Sequence, residues 1–260
     1  MRPFAALIAA VVSTSFLGLS TAEELPSGQV WVPPPGTSWQ WQLTGPVDES
    51  FDVEVYDIDL FGSAAAVIDR LHADGRRVVC YFSAGAWEDW RPDAAEFPPA
   101  LIGASNGWPG ERWLDIRDLR SLAPIIDARL DMAVAKGCDA VEPDNVDGFE
   151  NASGFPLSAR HQARFNKWLA RKAHRRGLAV GLKNDLRQVR RLQPFFDFAV
   201  NEQCFEFDEC HRLRHFVAAG KAVFGVEYTG RMRDFCPEAR AMGLSWLRKR
   251  SDLGSWVRFC

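Results

Sequence analysis

Residues 136–147 read Lys136-Gly137-Cys138-Asp139-Ala140-Val141-Glu142-Pro143-Asp144-Asn145-Val146-Asp147, and the order of residue types in them decides the fold. Ahead of this stretch, Ser121–Ala135 carries apolar residues at helical spacing. Gly137 supplies the left-handed conformation that stops a helix. The apolar run Asp139–Asp144 then reads as a strand that ends in charge. Working outward, the same order of helix, glycine and apolar strand recurs. Ala64–Ala73 is followed by Gly75, Ser158–Arg176 by Gly177, and Asp208–Ala219 by Gly220. Ser158 is also a good N-cap residue.

Nine strand candidates emerge: Trp39–Leu43, Val53–Ile58, Arg77–Phe82, Arg112–Ile116, Asp139–Asp144, Leu178–Lys183, Phe198–Glu202, Ala222–Glu227 and Leu244–Leu247. Strands alternating with helices imply a parallel sheet. Eight such units close a (β/α)8 TIM barrel, and 260 residues suit one such domain. One of the nine candidates is therefore extra or a hairpin partner. An open doubly wound sheet is the structural alternative, but no G-x-G-x-x-G follows the first strand. Trp87–Gly110, with four prolines and three tryptophans, is long enough to be a functional loop.

Composition narrows the classes. Hydrophobic residues make up 47%, enough for a sizeable core, and charged residues 25%, which excludes a disordered chain. The net charge of −3 gives no basic excess, so no nucleic-acid partner is expected. Residues 1–22 read as a secretory signal peptide: Met1-Arg2, an uncharged apolar run, then small residues at Ser20-Thr21-Ala22. The competing reading is a membrane anchor at the lower limit of spanning length. Cleavage would leave a secreted or periplasmic/extracellular protein with no stable membrane insertion, expected to be a monomer. Residues 23–36, rich in proline, form an irregular entry, and 37–260 form the single barrel domain.

An even count of six cysteines in an exported chain permits disulfides. Cys204 and Cys210 would close a short loop, and Cys236 and Cys260 would tie down the C-terminus. Cys80 and Cys138, in or beside apolar strands, are either a third bridge or two buried thiols. No C-x-x-C is present and the histidines are scattered, so neither a metal nor a cofactor is expected.

In a parallel barrel the C-terminal strand ends carry the chemistry. Here five of them are charged: Asp57-Ile58-Asp59, Glu142-Pro143-Asp144-Asn145, Lys183-Asn184-Asp185, Asn201-Glu202-Gln203 and Glu227-Tyr228. Strand alternation puts Glu142 and Asp144 on one side, which is the interior if Ala140 faces inward. Any one acid at a strand end is ordinarily a helix cap or an ion-pair partner. Five on one rim point to work on a substrate. Without a G-x-S-x-G or a zinc set, paired carboxylates suit glycoside hydrolysis. Ten tryptophans add faces that suit sugar rings, although most of them are expected to pack.

Several phrases then look familiar. They are Trp39-Gln40-Trp41-Gln42-Leu43-Thr44-Gly45, Val55-Tyr56-Asp57-Ile58-Asp59-Leu60-Phe61, and Cys80-Tyr81-Phe82-Ser83-Ala84-Gly85 with Glu88 and Trp90-Arg91. Gly110-Glu111-Arg112-Trp113-Leu114-Asp115-Ile116, Lys136–Asp139, Val141–Asp147, Gly181-Leu182-Lys183-Asn184 and Asn201-Glu202-Gln203-Cys204 follow in order. Over residues 37–250 the chain resembles glycoside hydrolase family 114, the endo-α-1,4-polygalactosaminidase type. The resemblance implies a barrel that cleaves galactosamine or N-acetylgalactosamine polysaccharide, with Asp144 and Glu202 as the catalytic pair. Asp144 is assigned as nucleophile and Glu202 as acid/base. Trp41, Asp57, Asp59, Tyr81, Trp87, Asp115, Glu142, Asn145, Lys183, Asn184, Glu227 and Tyr228 are the candidates for holding the sugar or tuning the pair. Asp57, Asp59, Glu88, Glu206 and Asp208 would form an acidic groove for a deacetylated, cationic polymer, or else a solvated acidic surface. The alternatives are a non-catalytic glycan-binding barrel, a hydrolase for another polysaccharide, and a metal-assisted hydrolase using Glu142, Asp144 and Asp147.

Overall fold

The computed structural model describes residues 30–260; the signal-peptide segment and residues 23–29 lie outside them. Eight parallel strands form the barrel: β1 (Trp39–Gln42), β2 (Val55–Asp59), β3 (Arg77–Ser83), β7 (Ala140–Asp144), β8 (Ala179–Lys183), β9 (Phe198–Glu202), β10 (Val223–Glu227) and β11 (Ser245–Lys249). The ninth candidate is not among them. Arg112–Ile116 falls on β6 (Glu111–Leu114), which pairs antiparallel with β4 (Ala86–Glu88) and β5 (Ile102–Ser105). This three-stranded sheet rises from the C-terminal end of β3; the long loop expected over Trp87–Gly110 holds most of β4 and all of β5, and β6 follows it.

Six helices follow barrel strands: α1 (Ala65–Ala73), α2 (Leu119–Lys136), α3 (Ala159–His174), the short α4 (Val189–Leu192), α5 (Arg214–Ala218) and α6 (Met232–Ala241). Ser158 caps α3 by accepting the His161 N–H, and Asp118 caps α2 by accepting from Ser121. Gly137 ends α2 at φ 86°, so the chain reverses straight into β7. No helix follows β1, and β11 is followed by β12 (Val257–Phe259), which turns back antiparallel to it. Side chains bridge the seam between β1 and β11. Trp39 Nε1 donates to the Ser245 carbonyl at 2.9 Å, and Lys249 Nζ reaches Gln40 Oε1 at 3.3 Å.

Two cores result. One lies between the barrel and its helices; the other fills the barrel with Trp39, Trp41, Val55, Val79, Ala140, Ala179, Phe198, Val200, Phe224, Val226 and Leu247. Ala140 is thus inward, as the alternation argument required. All six cysteines are paired: Cys80–Cys138, Cys204–Cys210 and Cys236–Cys260. The first bridge joins β3 to the segment entering β7, so the buried-thiol reading fails there. Among the described residues no helix is long and apolar enough to cross a membrane.

Candidate active site

Alternation along each strand sorts the charged ends. Inward positions continue upward from the apolar filling as Asp57 and Asp59 on β2, Tyr81 on β3, Glu142 and Asp144 on β7, Lys183 on β8, Glu202 on β9 and Tyr228 after β10. Lys183, 1% exposed, is the hub. Its ammonium lies 2.9 Å from Glu142 Oε1, 3.3 Å from Asp144 Oδ1 and 3.5 Å from Glu202 Oε2, and 4.6 Å over the Trp41 ring. Burial works against the charge, yet the surrounding carboxylates hold its pKa well above the ordinary lysine value.

Below the hub, Glu142 accepts the Trp41 indole N–H at 3.0 Å as well as the lysine. Asp57 and Glu142 are both fully buried. Neither Asp57 oxygen meets an N–H or hydroxyl donor; its contact is the Glu142 carboxyl, and two carboxyls touch only through a shared proton. Burial, then the Glu142 charge, push Asp57 well above the usual carboxylate range. Asp57 is therefore the protonated member, and Glu142, with two N–H donors, the ionised one.

Above the hub, Asp144 accepts Tyr81 Oη–H at 2.8 Å and the Asn145 N–H at 2.6 Å. Its carbonyl accepts the N–H groups of Ala84 and Gly85 at 2.9 and 3.0 Å. That approach needs glycine, because a Cβ on Gly85 would stand 1.8 Å from the Asn145 carbonyl oxygen. Glu202 accepts from Tyr228 Oη–H at 2.5 Å and Asn184 Nδ2 at 3.2 Å, while Asn184 Oδ1 accepts the Glu202 N–H at 3.0 Å. Asn145, Asn184 and Gln203 directly follow Asp144, Lys183 and Glu202, with φ of 60°, 47° and 63°. Three neighbouring strands thus end in left-handed residues that cost strain and cluster at working sites.

These groups floor a cleft of about 700 Å³. It brings together Trp41, Asp59, Tyr81, Asp144, Asn145, Lys183, Asn184, Glu202 and Tyr228 of the expected set. It leaves out five. Asp57 and Glu142 lie one layer too deep to touch a sugar. Trp87 turns its indole N–H to the Ala94 carbonyl. Asp115, on the excursion rather than a barrel strand, is held by Arg117 at 2.7 Å. Glu227 has outward parity and accepts the Phe205 N–H behind the barrel wall. The expected acidic groove changes membership as well. Asp59 and Glu88 do line the cleft, but Arg91 bonds both at 2.7 and 2.8 Å, and Glu206 and Asp208 line a separate depression.

Other acids take their place. Glu111 and Asp147 line the cleft, and burial pushes each carboxyl up to about 7; the hydrogen bond from Asn106 opposes this at Glu111, and the Asp144 charge adds to it at Asp147. Trp90 and Trp108, 52% and 58% exposed, and Trp113 come from the excursion. The concentration of tryptophans in the Pro-rich loop Trp87–Gly110 is the signal that could have found Trp90 and Trp108. Among the described residues no group of three or more His, Cys, Asp or Glu side chains is arranged to hold a metal.

The profile of glycoside-hydrolase family GH114 matches residues 20–260, and the chain belongs to that family; it is a glycoside hydrolase. The crystal structure of Aspergillus fumigatus Ega3 in complex with galactosamine superposes with a TM-score of 0.84 at 39% identity, covering 88% of this chain and 97% of that one. The glycoside hydrolase domain of PelA from Pseudomonas aeruginosa shares the fold, with a TM-score of 0.70 at 14% identity, covering 87% and 98%. An uncharacterized Deinococcus radiodurans protein is 28% identical over 221 residues, 74% of this chain and 70% of its own.

Proposed function

We propose that this chain is an exported hydrolase of α-1,4-linked galactosamine-containing polysaccharide, with Asp144 as nucleophile and Glu202 as acid/base. One observation carries the reading. Asp144 and Glu202 approach the same Lys183 ammonium from the strands on either side of β8, at 3.3 and 3.5 Å, on the floor of an open cleft. Their nearest oxygens are therefore no more than about 7 Å apart, a limit that includes the close spacing of retaining enzymes. Asp144 receives its O–H and N–H donors at 2.8 and 2.6 Å, an arrangement that aims its carboxylate into the cleft. Glu202 Oε2 has the longer contacts, so it is the oxygen free to carry a proton to the leaving glycosidic oxygen.

In the first step Asp144 attacks the anomeric carbon while Glu202 protonates the departing oxygen, giving a glycosyl ester on Asp144. In the second, Glu202 takes a proton from water, which attacks the same carbon and releases Asp144. Lys183 offsets the negative charge of the pair through both steps. Glu111, Asp147 and Asp252 line the cleft without a Lys or Arg partner within 4 Å among the described residues, which suits a polymer carrying ammonium groups. The similarity to a protein solved with galactosamine supports the same substrate class. Three disulfides favour an oxidising compartment.

The test is turnover on defined α-1,4-galactosamine oligosaccharides, with and without acetyl groups. Asp144→Asn and Glu202→Gln should each lose at least about a thousandfold in kcat while keeping the wild-type melting curve. Near-normal hydrolysis by either folded variant would sink the assignment. The configuration of the first-formed product by NMR decides between retention and inversion.

A further inference from the structure

Charge is distributed unevenly along the chain. Of 31 Lys/Arg and 34 Asp/Glu residues, residues 151–196 hold 11 and 1, leaving 20 and 33 elsewhere. The single acid is Asp185, which is buried. Much of this excess forms one row. Arg160, Arg164, Lys167, Arg171 and Arg175 stand at i, i+4, i+7, i+11 and i+15 along α3 and its C-cap, a spacing that puts them on one helix face. The opposite face buries Phe165, Leu169 and Ala173 against the barrel. Arg190 and Arg191 are exposed on α4, which packs beside α3.

Apart from Lys167, whose ammonium lies 4.1 Å over the Phe195 ring, the row does not serve the fold. Lys172 and Arg176, on the flank toward α2, are paired with Asp127 and Asp131 at 2.5–2.9 Å. Among the described residues none of the five in the row, nor Arg190 or Arg191, has a carboxylate within 4 Å. Like charges at i,i+4 repel. Arg160 also sits in the first turn of α3, where the helix dipole disfavours a cation and no acid is present. Arg171 and Arg175 gain from the dipole at the other end of α3, but the unpaired, mutually repelling row as a whole is more than the helix needs.

We propose that the α3–α4 wall binds a linear acidic polysaccharide. Successive cations on a helix face stand about 5–6 Å apart, close to the advance of one sugar ring in an extended chain, and a single row suits a single strand. A nucleic-acid surface would offer an element to enter a groove or exposed rings for stacking. Here neither α3 nor α4 carries a large exposed apolar side chain, and Trp168 is half-buried and stacked on Phe165. The same lack disfavours insertion into a lipid surface. The site is distinct from the acid-lined cleft and opposite in sign. If the substrate is the cationic polymer argued above, a polyanion associates with that polymer, so holding the one places the enzyme beside the other.

The test is fluorescence anisotropy of labelled sodium polygalacturonate titrated with the full-length protein at low salt, which needs no turnover. Wild type should bind, and more weakly as salt rises. Arg164→Ser/Arg171→Ser/Arg190→Ser/Arg191→Ser should bind at least about tenfold more weakly with a shallower salt dependence. Its circular dichroism and its turnover on short oligosaccharides should be unchanged, and lysine at the same four positions should retain most of the binding. Should the fourfold variant not fold, Arg190→Ser/Arg191→Ser alone should still weaken binding about threefold. No binding by wild type at low salt, equal binding by a folded neutralised variant, or tighter binding to a DNA duplex or phosphatidylglycerol vesicles would each overturn the proposal.

Discussion

Replacing Lys183 with methionine keeps most of the side-chain volume and deletes the one cation between Glu142, Asp144 and Glu202. At an effective dielectric constant near 20, each ion pair at about 3–3.5 Å is worth roughly 5 kcal/mol of gross attraction. Most of that repays desolvation, so removing one partner of a buried set costs about 3–5 kcal/mol net. Glu142, fully buried and left with the Trp41 indole and the Asp57 carboxyl but no cation, would have to take up a proton to avoid an uncompensated charge. The sign follows from linkage. The folded variant holds a proton on Glu142 that the unfolded chain releases near its ordinary pKa of 4.5. The variant therefore loses stability as pH rises above that value, and is nearest to wild type below it. Chemical denaturation at acidic and at alkaline pH checks this, together with kcat on a galactosamine oligosaccharide, which should fall at least about a hundredfold at every pH. The double variant Lys183→Met/Glu142→Gln should recover stability at alkaline pH without recovering turnover. If Lys183→Met is as stable as wild type at alkaline pH, or if the double variant turns over normally, the hub does not work as argued.

Gly85→Ala should cut kcat at least tenfold with a smaller loss of stability, of about 1–3 kcal/mol; the new Cβ would meet the Asn145 carbonyl at 1.8 Å and displace the strand end that aims Asp144. Asp185, pushed up to about 8 by burial, has one oxygen without a partner and is protonated in the fold at neutral pH. It should therefore subtract stability at about 1.4 kcal/mol per pH unit between its unfolded value near 4 and about 8, and Asp185→Asn should flatten that slope in denaturation curves. Cys80→Ser/Cys138→Ser opens a bridge spanning 58 residues and should lower unfolding free energy by about 4 kcal/mol on the chain-entropy relation, with the cleft chemistry retained in the folded fraction.

Much of the fold was legible because glycines punctuate it. Gly75, Gly137, Gly177 and Gly220 each end a helix with positive φ, and apolar runs follow all four. The extra strand, Arg112–Ile116, is a strand but pairs antiparallel within an excursion, and pairing direction leaves no mark in a short apolar run. The missing helix after β1 and the side-chain seam to β11 are likewise set by how the barrel closes, a matter of long-range pairing. At the site, parity would have removed Glu227 from the list, since Tyr228 and Glu227 cannot both face inward. Depth was harder. Asp57 and Asp59, or Glu142 and Asp144, share a face and differ only by two residues, about 7 Å along the strand, and that rise separates a buried layer from the cleft.

That separation gives the paired acids different work. The lower pair, Asp57 and Glu142, shares a proton and carries about one negative charge, which together with Asp144 and Glu202 keeps Lys183 cationic against its burial. The upper pair then meets a fixed cation from below and the substrate from above. Arg91 does the corresponding job at the cleft wall, absorbing Asp59 and Glu88, so that the acids left over are Glu111 and Asp147 beside the reacting pair. Both of these titrate near neutrality. The negative field felt by an incoming ammonium polymer therefore grows as pH rises toward 8. Binding strength and bond cleavage are thus governed by different carboxylates in one cleft, and KM should fall across that pH interval even where kcat does not follow it.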